Sequence, residues 1–137
     1  MILAMPRVLR NLPLFRLTIV VEGNVEPCRS PCVLVGNNEY RITVPGFGTR
    51  ERLDSGELCL YVAKTQGRLS MFWLACRCIL GLVRQQRDLR ILKGATADIS
   101  ARRSRLLVAF DGEVATMQPP LHYKIRRGAL RVFAPPN

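Results

Sequence analysis

Lysine, histidine and aromatic residues are all scarce in this chain of 137 residues. Only Lys64, Lys93 and Lys124 stand against 18 arginines, His122 is the sole histidine, and Phe, Trp and Tyr together make up 7%. A single histidine rules out a histidine-rich metal cage. Cys28-x3-Cys32 and Cys76-x-Cys78 lack the paired two-residue spacing of zinc sites. Cys76 and Cys78 also fall in an apolar stretch, where cysteine usually acts as a small hydrophobe. The five cysteines, at 28, 32, 59, 76 and 78, are odd in number. Without a secretion signal, that count points to free thiols in a reducing compartment. No such signal is read at the start, because Arg7 and Arg10 follow the apolar residues, whereas a secretory leader puts its positive charge first. Long apolar runs are missing too: the longest, Met71 to Val83, is broken by Arg77 and too short to span a bilayer. There is no internal repeat, heptad or low-complexity segment. No Gly-rich loop opens a helix to cradle a phosphate.

What is present suits one domain with a real core: apolar residues make up 48% of the chain, which argues against global disorder. The net charge of +11 favours anionic partners such as phosphate groups or an anionic membrane surface. The arginines are scattered, with small clusters only at Arg102-Arg103-Arg105 and Arg126-Arg127. Nucleic-acid domains gather such residues on one stripe with stacking aromatics between them, so no nucleic-acid partner is expected. The plain reading of the charge is a solvated basic surface.

Alternation marks the first strand: Phe15, Leu17, Ile19 and Val21 share a face, with Arg16 and Thr18 opposite. Glu22-Gly23-Asn24 supplies a turn and Val25 onward a partner strand, which Pro27 and Pro31 demote to an edge or bend. Cys32 to Val35, Leu58 to Ala63, Arg90 to Leu92, Ala95 to Ser100, Leu106 to Phe110, His122 to Ile125 and Leu130 to Ala134 are further strand candidates. Gly, Pro and Asp-Gly punctuate them at the spacing of a sandwich or barrel. One helix interrupts, between Gly67 and Gln85. There Leu69, Phe72, Trp73, Cys76, Ile79, Leu80 and Val83 fall on one face, and Met71, Leu74, Cys78 and Leu82 make a second side apolar. Such a helix is expected to be buried or to face a partner; a lid over an acyl-chain cavity is the alternative.

Three short signatures place polar residues on glycine-containing turns at the ends of apolar runs. They are Val35-Gly36-Asn37-Asn38-Glu39-Tyr40, Arg52-Leu53-Asp54-Ser55-Gly56-Glu57-Leu58 and Ala109-Phe110-Asp111-Gly112-Glu113-Val114. Each has a plain turn reading, since asparagine and Asp-Gly are turn formers in their own right. The third could instead aim two carboxylates as a general base, because glycine frees the backbone to orient both. Taken in order, and followed by Pro119-Pro120-Leu121 and Gly128 to Pro135, they make the chain resemble the C-terminal domain of the bacterial diacylglycerol kinase family, relatives of the sphingosine kinases. The resemblance runs from about Leu14 to Pro135.

That resemblance implies a mainly β fold, a two-sheet β-sandwich with one inserted α-helix over residues 14–137, preceded by residues 1–13 as a linker or the remnant of an interdomain helix. It implies that Asp111 and Glu113 are the catalytic pair, with Glu113 first as proton acceptor. It also implies that Asn37, Asn38, Tyr40 and Arg50 or Arg52 line the cleft, where an arginine would suit a phosphate. The family stretch matching Asp54, Ser55 and Glu57 has a second aspartate where Ser55 stands and orders a structural magnesium. Losing a carboxylate there should weaken such a site. A kinase of this family also carries a nucleotide-binding domain with a Gly-Gly-Asp-Gly-Thr loop, which this sequence lacks. The expectation is therefore the lipid-side half of an ATP-dependent lipid kinase, inactive alone. ATP and Mg2+ belong to the complete enzyme, and the missing N-terminal domain, a lipid substrate, a peripheral membrane surface and a second copy are the expected partners. Its expected location is the cytoplasm or the inner membrane face. The rival expectation is a non-catalytic module that binds lipid or protein.

Overall fold

The computed structural model describes residues 14–42, 47–50, 55–64, 67–80, 82 and 85–129. The expected strand Leu130 to Ala134, the 1–13 segment, Arg52 and Asp54 lie outside the described residues. The fold is mainly β, as expected. A four-stranded antiparallel sheet contains β1 (Phe15–Val21), β2 (Asn24–Ser30), β8 (Thr96–Ala101) and β11 (Leu121–Lys124), in the order β11-β8-β1-β2. A three-stranded antiparallel sheet contains β3 (Val33–Asn37), β6 (Leu58–Ala63) and β7 (Leu89–Gly94), with β6 in the middle. Two hairpins flank these sheets: β4 (Tyr40–Ile42) with β5 (Phe47–Arg50), and β9 (Leu106–Phe110) with β10 (Glu113–Met117).

The core forms where the two larger sheets face each other. Leu17, Ile19, Val21, Ala97 and Ile99 from one pack with Leu58, Leu60 and Val62 from the other. The period of two in β1 produces this directly, sending Leu17, Ile19 and Val21 inward and Arg16 and Thr18 out. β6 is buried along its whole length, because its second face, with Cys59 and Tyr61, is also covered. The Tyr61 hydroxyl accepts the Tyr40 N–H at 2.7 Å, which ties β6 to the β4–β5 hairpin. Pro27 sits in β2, at the sheet edge opposite Thr18, the position where a missing N–H does least harm.

The helix forms as α1 (Arg68–Leu80), followed by a four-residue helical turn, α2 (Gln85–Asp88). Ser70 Oγ donates to the Gly67 carbonyl at 2.8 Å and accepts the Gly67 N–H at 3.1 Å, closing the start of α1. At the other end, Arg77 bonds Asp88 at 2.7 Å, while the Lys64 N–H donates to the Asp88 carbonyl at 2.9 Å. The seam between α1 and the body is a small hollow of about 240 Å³ lined by Lys64, Ser70, Trp73, Leu74, Arg77 and Asp88. The helix was expected to be buried or to face a partner, and Leu69, Phe72, Trp73 and Leu80 lie on one of its two apolar sides. In the fold all four side chains are exposed, and it is Leu74, Cys76 and Arg77 that are half-buried. No helix among the described residues is long and apolar enough to cross a membrane.

Candidate functional site

The first two signatures meet in one corner. β3 ends at Asn37, and Asn38 turns the chain in left-handed backbone, with φ of 63°; asparagine tolerates this better than most residues. Its side chain is 2% exposed, and that burial is offset by bonding. Asn38 Oδ1 accepts Ser55 Oγ–H at 2.5 Å and Gly56 N–H at 3.1 Å, and the Asn38 N–H donates to the Glu57 carbonyl at 2.8 Å. Gly56, at φ of 63°, sits in backbone that favours glycine, and a β-carbon there would lie 2.8 Å from the Arg127 side chain and force it to move. Arg127 Nε donates to the Gly56 carbonyl at 3.1 Å. Tyr40 lies against Gly36 so closely that a β-carbon there would sit 2.7 Å from its ring. Arg50 is on β5, opposite Tyr40 in register.

Magnesium needs a near-octahedral shell of hard oxygens. In this corner the Ser55 hydroxyl is turned to Asn38 and the Gly56 carbonyl to a guanidinium. Glu57 is exposed. Among the described residues no group of three His, Cys, Asp or Glu side chains could hold a metal ion. Asp54, the aspartate of the expected ligand set, lies outside the described residues.

The third signature is the turn of the β9–β10 hairpin. Asp111 and Gly112 both take positive φ, 50° and 82°, the pattern of a type I′ turn. Glu113 pairs directly with Phe110, and paired residues project from the same face of a hairpin. Phe110 lines a cleft of about 490 Å³, whose walls include Val33, Val35, Leu106, Val108 and Tyr123 and whose lining also includes Asn37. Glu113 therefore shares a hairpin face with Phe110 but is not among the residues that line the cleft, and Asp111 sits on the turn itself. β3 and β9 leave from one end of the sandwich. Ser30 pairs with Phe15 and its hydroxyl bonds Ala63, just ahead of β3, and the Arg103 guanidinium, just ahead of β9, lies 5.1 Å from the Phe15 ring centre. The two strands then flank the same cleft. The lining of that cleft reaches Asn37 at the end of β3 and Phe110 at the end of β9.

This architecture occurs in solved proteins. A protein from Bacillus anthracis str. Sterne, provisionally named a diacylglycerol kinase, matches over 89% of this chain and 38% of its own, with 22% identity and a TM-score of 0.55. A second of the same provisional name and organism matches over 89% and 41%, with 21% identity and a TM-score of 0.62. A third, named a diacylglycerol kinase from the same organism, matches over 92% and 43%, with 22% identity and a TM-score of 0.61. The chain has the fold of one part of these kinases. It spans about two-fifths of their length. No family model matches it.

Two participants escaped the sequence reading. Arg127 looked like one of a surface pair, and its bond to Gly56 joins residues 71 apart; no local pattern announces that. Lys93 pairs with Glu39 at 2.6 Å, beside Asn38. That bond holds the Lys93 ammonium above its usual pKa.

Proposed function

We propose that this chain is the lipid-side, C-terminal domain of an ATP-dependent lipid kinase that phosphorylates a hydroxyl of a diacylglycerol-like or sphingoid lipid. The observation that carries this reading is a cleft walled by apolar side chains, whose lining runs to Asn37 on β3 and to Phe110 on β9, the strand partner of Glu113. Its volume is in the range of ligand pockets, and its walls suit a hydrocarbon tail. Glu113 accepts the proton of the lipid hydroxyl as its oxygen bonds the γ-phosphorus, and ADP departs. The nucleotide, with its magnesium, is held by a domain outside this sequence, in cis or in trans, so this chain alone does not turn over. Glu113→Gln in the two-domain enzyme should lower turnover about a hundred- to ten-thousand-fold while leaving ATP affinity nearly unchanged. A variant keeping half its activity would remove Glu113 from the role.

One observation favours a second reading, a lipid-binding module without catalysis: no charged residue lines the described cleft. Under that reading the joined enzyme binds a fluorescent diacylglycerol analogue yet transfers no phosphate from ATP, with or without Glu113.

A further inference from the structure

The stripe that α1 turns outward is the reverse of an ordinary amphipathic helix. Leu69, Phe72, Trp73 and Leu80 recur at helical spacing, and each is exposed, Leu69 by 72%, Trp73 by 58% and Leu80 by 67%. Leu82, just past the helix, is exposed too. The rings of Phe72 and Trp73 pack edge to face, with centres 6.3 Å apart. Behind the stripe, Arg77 is held by Asp88 and the helix rests on the Lys64 hollow, so the body is fixed while the apolar side stays open. The surrounding sequence is strongly cationic. Residues 64–90 contain Lys64, Arg68, Arg77, Arg84, Arg87 and Arg90 against Asp88 alone. Arg77 is paired with Asp88 and Arg90 with Glu26 of β2, and the cationic flank is counted without these two.

We propose that this face of α1 docks on an anionic lipid bilayer, lying in the interfacial plane. An apolar stripe with aromatic side chains and cationic flanks is the composition of an interfacial helix. Each basic residue near an anionic leaflet adds to the attraction. Thirteen residues extend about 20 Å, enough to lie in the interface and too short to cross it. A second copy of this chain is a poorer occupant, because pairing two such segments would bring like charges together. The inference does not depend on the kinase reading: a domain with no catalytic role would bind by the same face.

Trp73 is the only tryptophan in the chain, so its emission reports on this face alone. With vesicles of phosphatidylcholine plus phosphatidylglycerol, the chain should co-sediment and its emission should shift to the blue, more weakly as salt is raised. Phosphatidylcholine vesicles alone should bind at least about tenfold less. Leu69→Ser with Leu80→Ser should weaken binding about tenfold or more, while Val25→Ser, exposed on β2, should not. Three results would each overturn the proposal. They are no shift with the anionic vesicles, undiminished binding by the double variant, or a shift that needs no vesicles but grows with protein concentration as a dimer forms.

Discussion

Asn38 and Trp73 have exchanged the places their chemistry would assign them. A carboxamide is 2% exposed and an indole 58% exposed within one small fold. The asparagine is tolerated inside because its oxygen and its backbone N–H all find partners, from Ser55, Gly56 and Glu57. Nothing comparable serves the indole, whose described neighbours are Phe72 and the hollow under α1. The buried polar corner is complete in itself; the exposed apolar helix is complete only with something laid against it. Isolated exposed apolar residues need no account, but a contiguous row marks an interaction face.

The largest effect should separate core from helix. Leu60 has no solvent exposure and packs between the sheets, so Leu60→Ala should cost about 2–5 kcal/mol of stability, read from the urea midpoint. Leu69→Ala, on the open stripe, should stay within about 0.5 kcal/mol. Equal losses would mean that α1 is packed in solution and that the comparison fails. Next comes the corner. Asn38→Ala removes the acceptor of Ser55 and Gly56 and puts a β-carbon residue without a bonding side chain at positive φ, for about 1–3 kcal/mol. Asn38→Gly loses the same bonds but accepts the backbone, so it should fall between Asn38→Ala and the parent. If glycine is as damaging as alanine, the bonds alone hold the corner.

Much of the sandwich was legible because its strands carry strong local patterns. β1, β6 and β9 run from Phe15, Leu58 and Leu106 as read. β10 was not read as a strand. Glu113 to Met117 lacks a long apolar run, and its register comes from the Asp111-Gly112 turn rather than from side-chain alternation. β4 and β5 escaped for a similar reason: they are short, and Tyr40 is fixed by a hydroxyl 21 residues away. The helix was legible as a helix, but which side faced inward was not. Periodicity gives a face and says nothing of what meets it. Of the candidate site, the turns were visible in sequence, while the cleft between β3 and β9 exists only once distant strands are assembled.

The smallest effect is an alkaline one, and it belongs to the interior. Burial raises the Cys28 and Cys59 thiols above 9.0 and the Tyr61 and Tyr123 phenols above 10.0. A backbone bond from Tyr40 pulls Tyr61 partly back. All four are acids whose neutral form the fold prefers. Below pH 9 both folded and unfolded chains keep these protons, and the full contribution of the four groups is present. Above it the unfolded chain releases them first, so it binds fewer protons and stability must fall as pH rises. Lys93, also raised, by its bond to Glu39, changes stability in the same direction, though weakly because the pair is half-exposed. The urea midpoint should hold level from neutral pH to about 9 and then decline. Tyr61→Phe should soften the part of that decline lying above pH 10, and phenolate absorbance should show one delayed transition fewer. Leu69 itself carries no titratable group and lies on the open stripe, so Leu69→Ala should leave the profile unchanged. A profile altered by Leu69→Ala would mean that the helix and the core are coupled, and the two regions could no longer be treated separately.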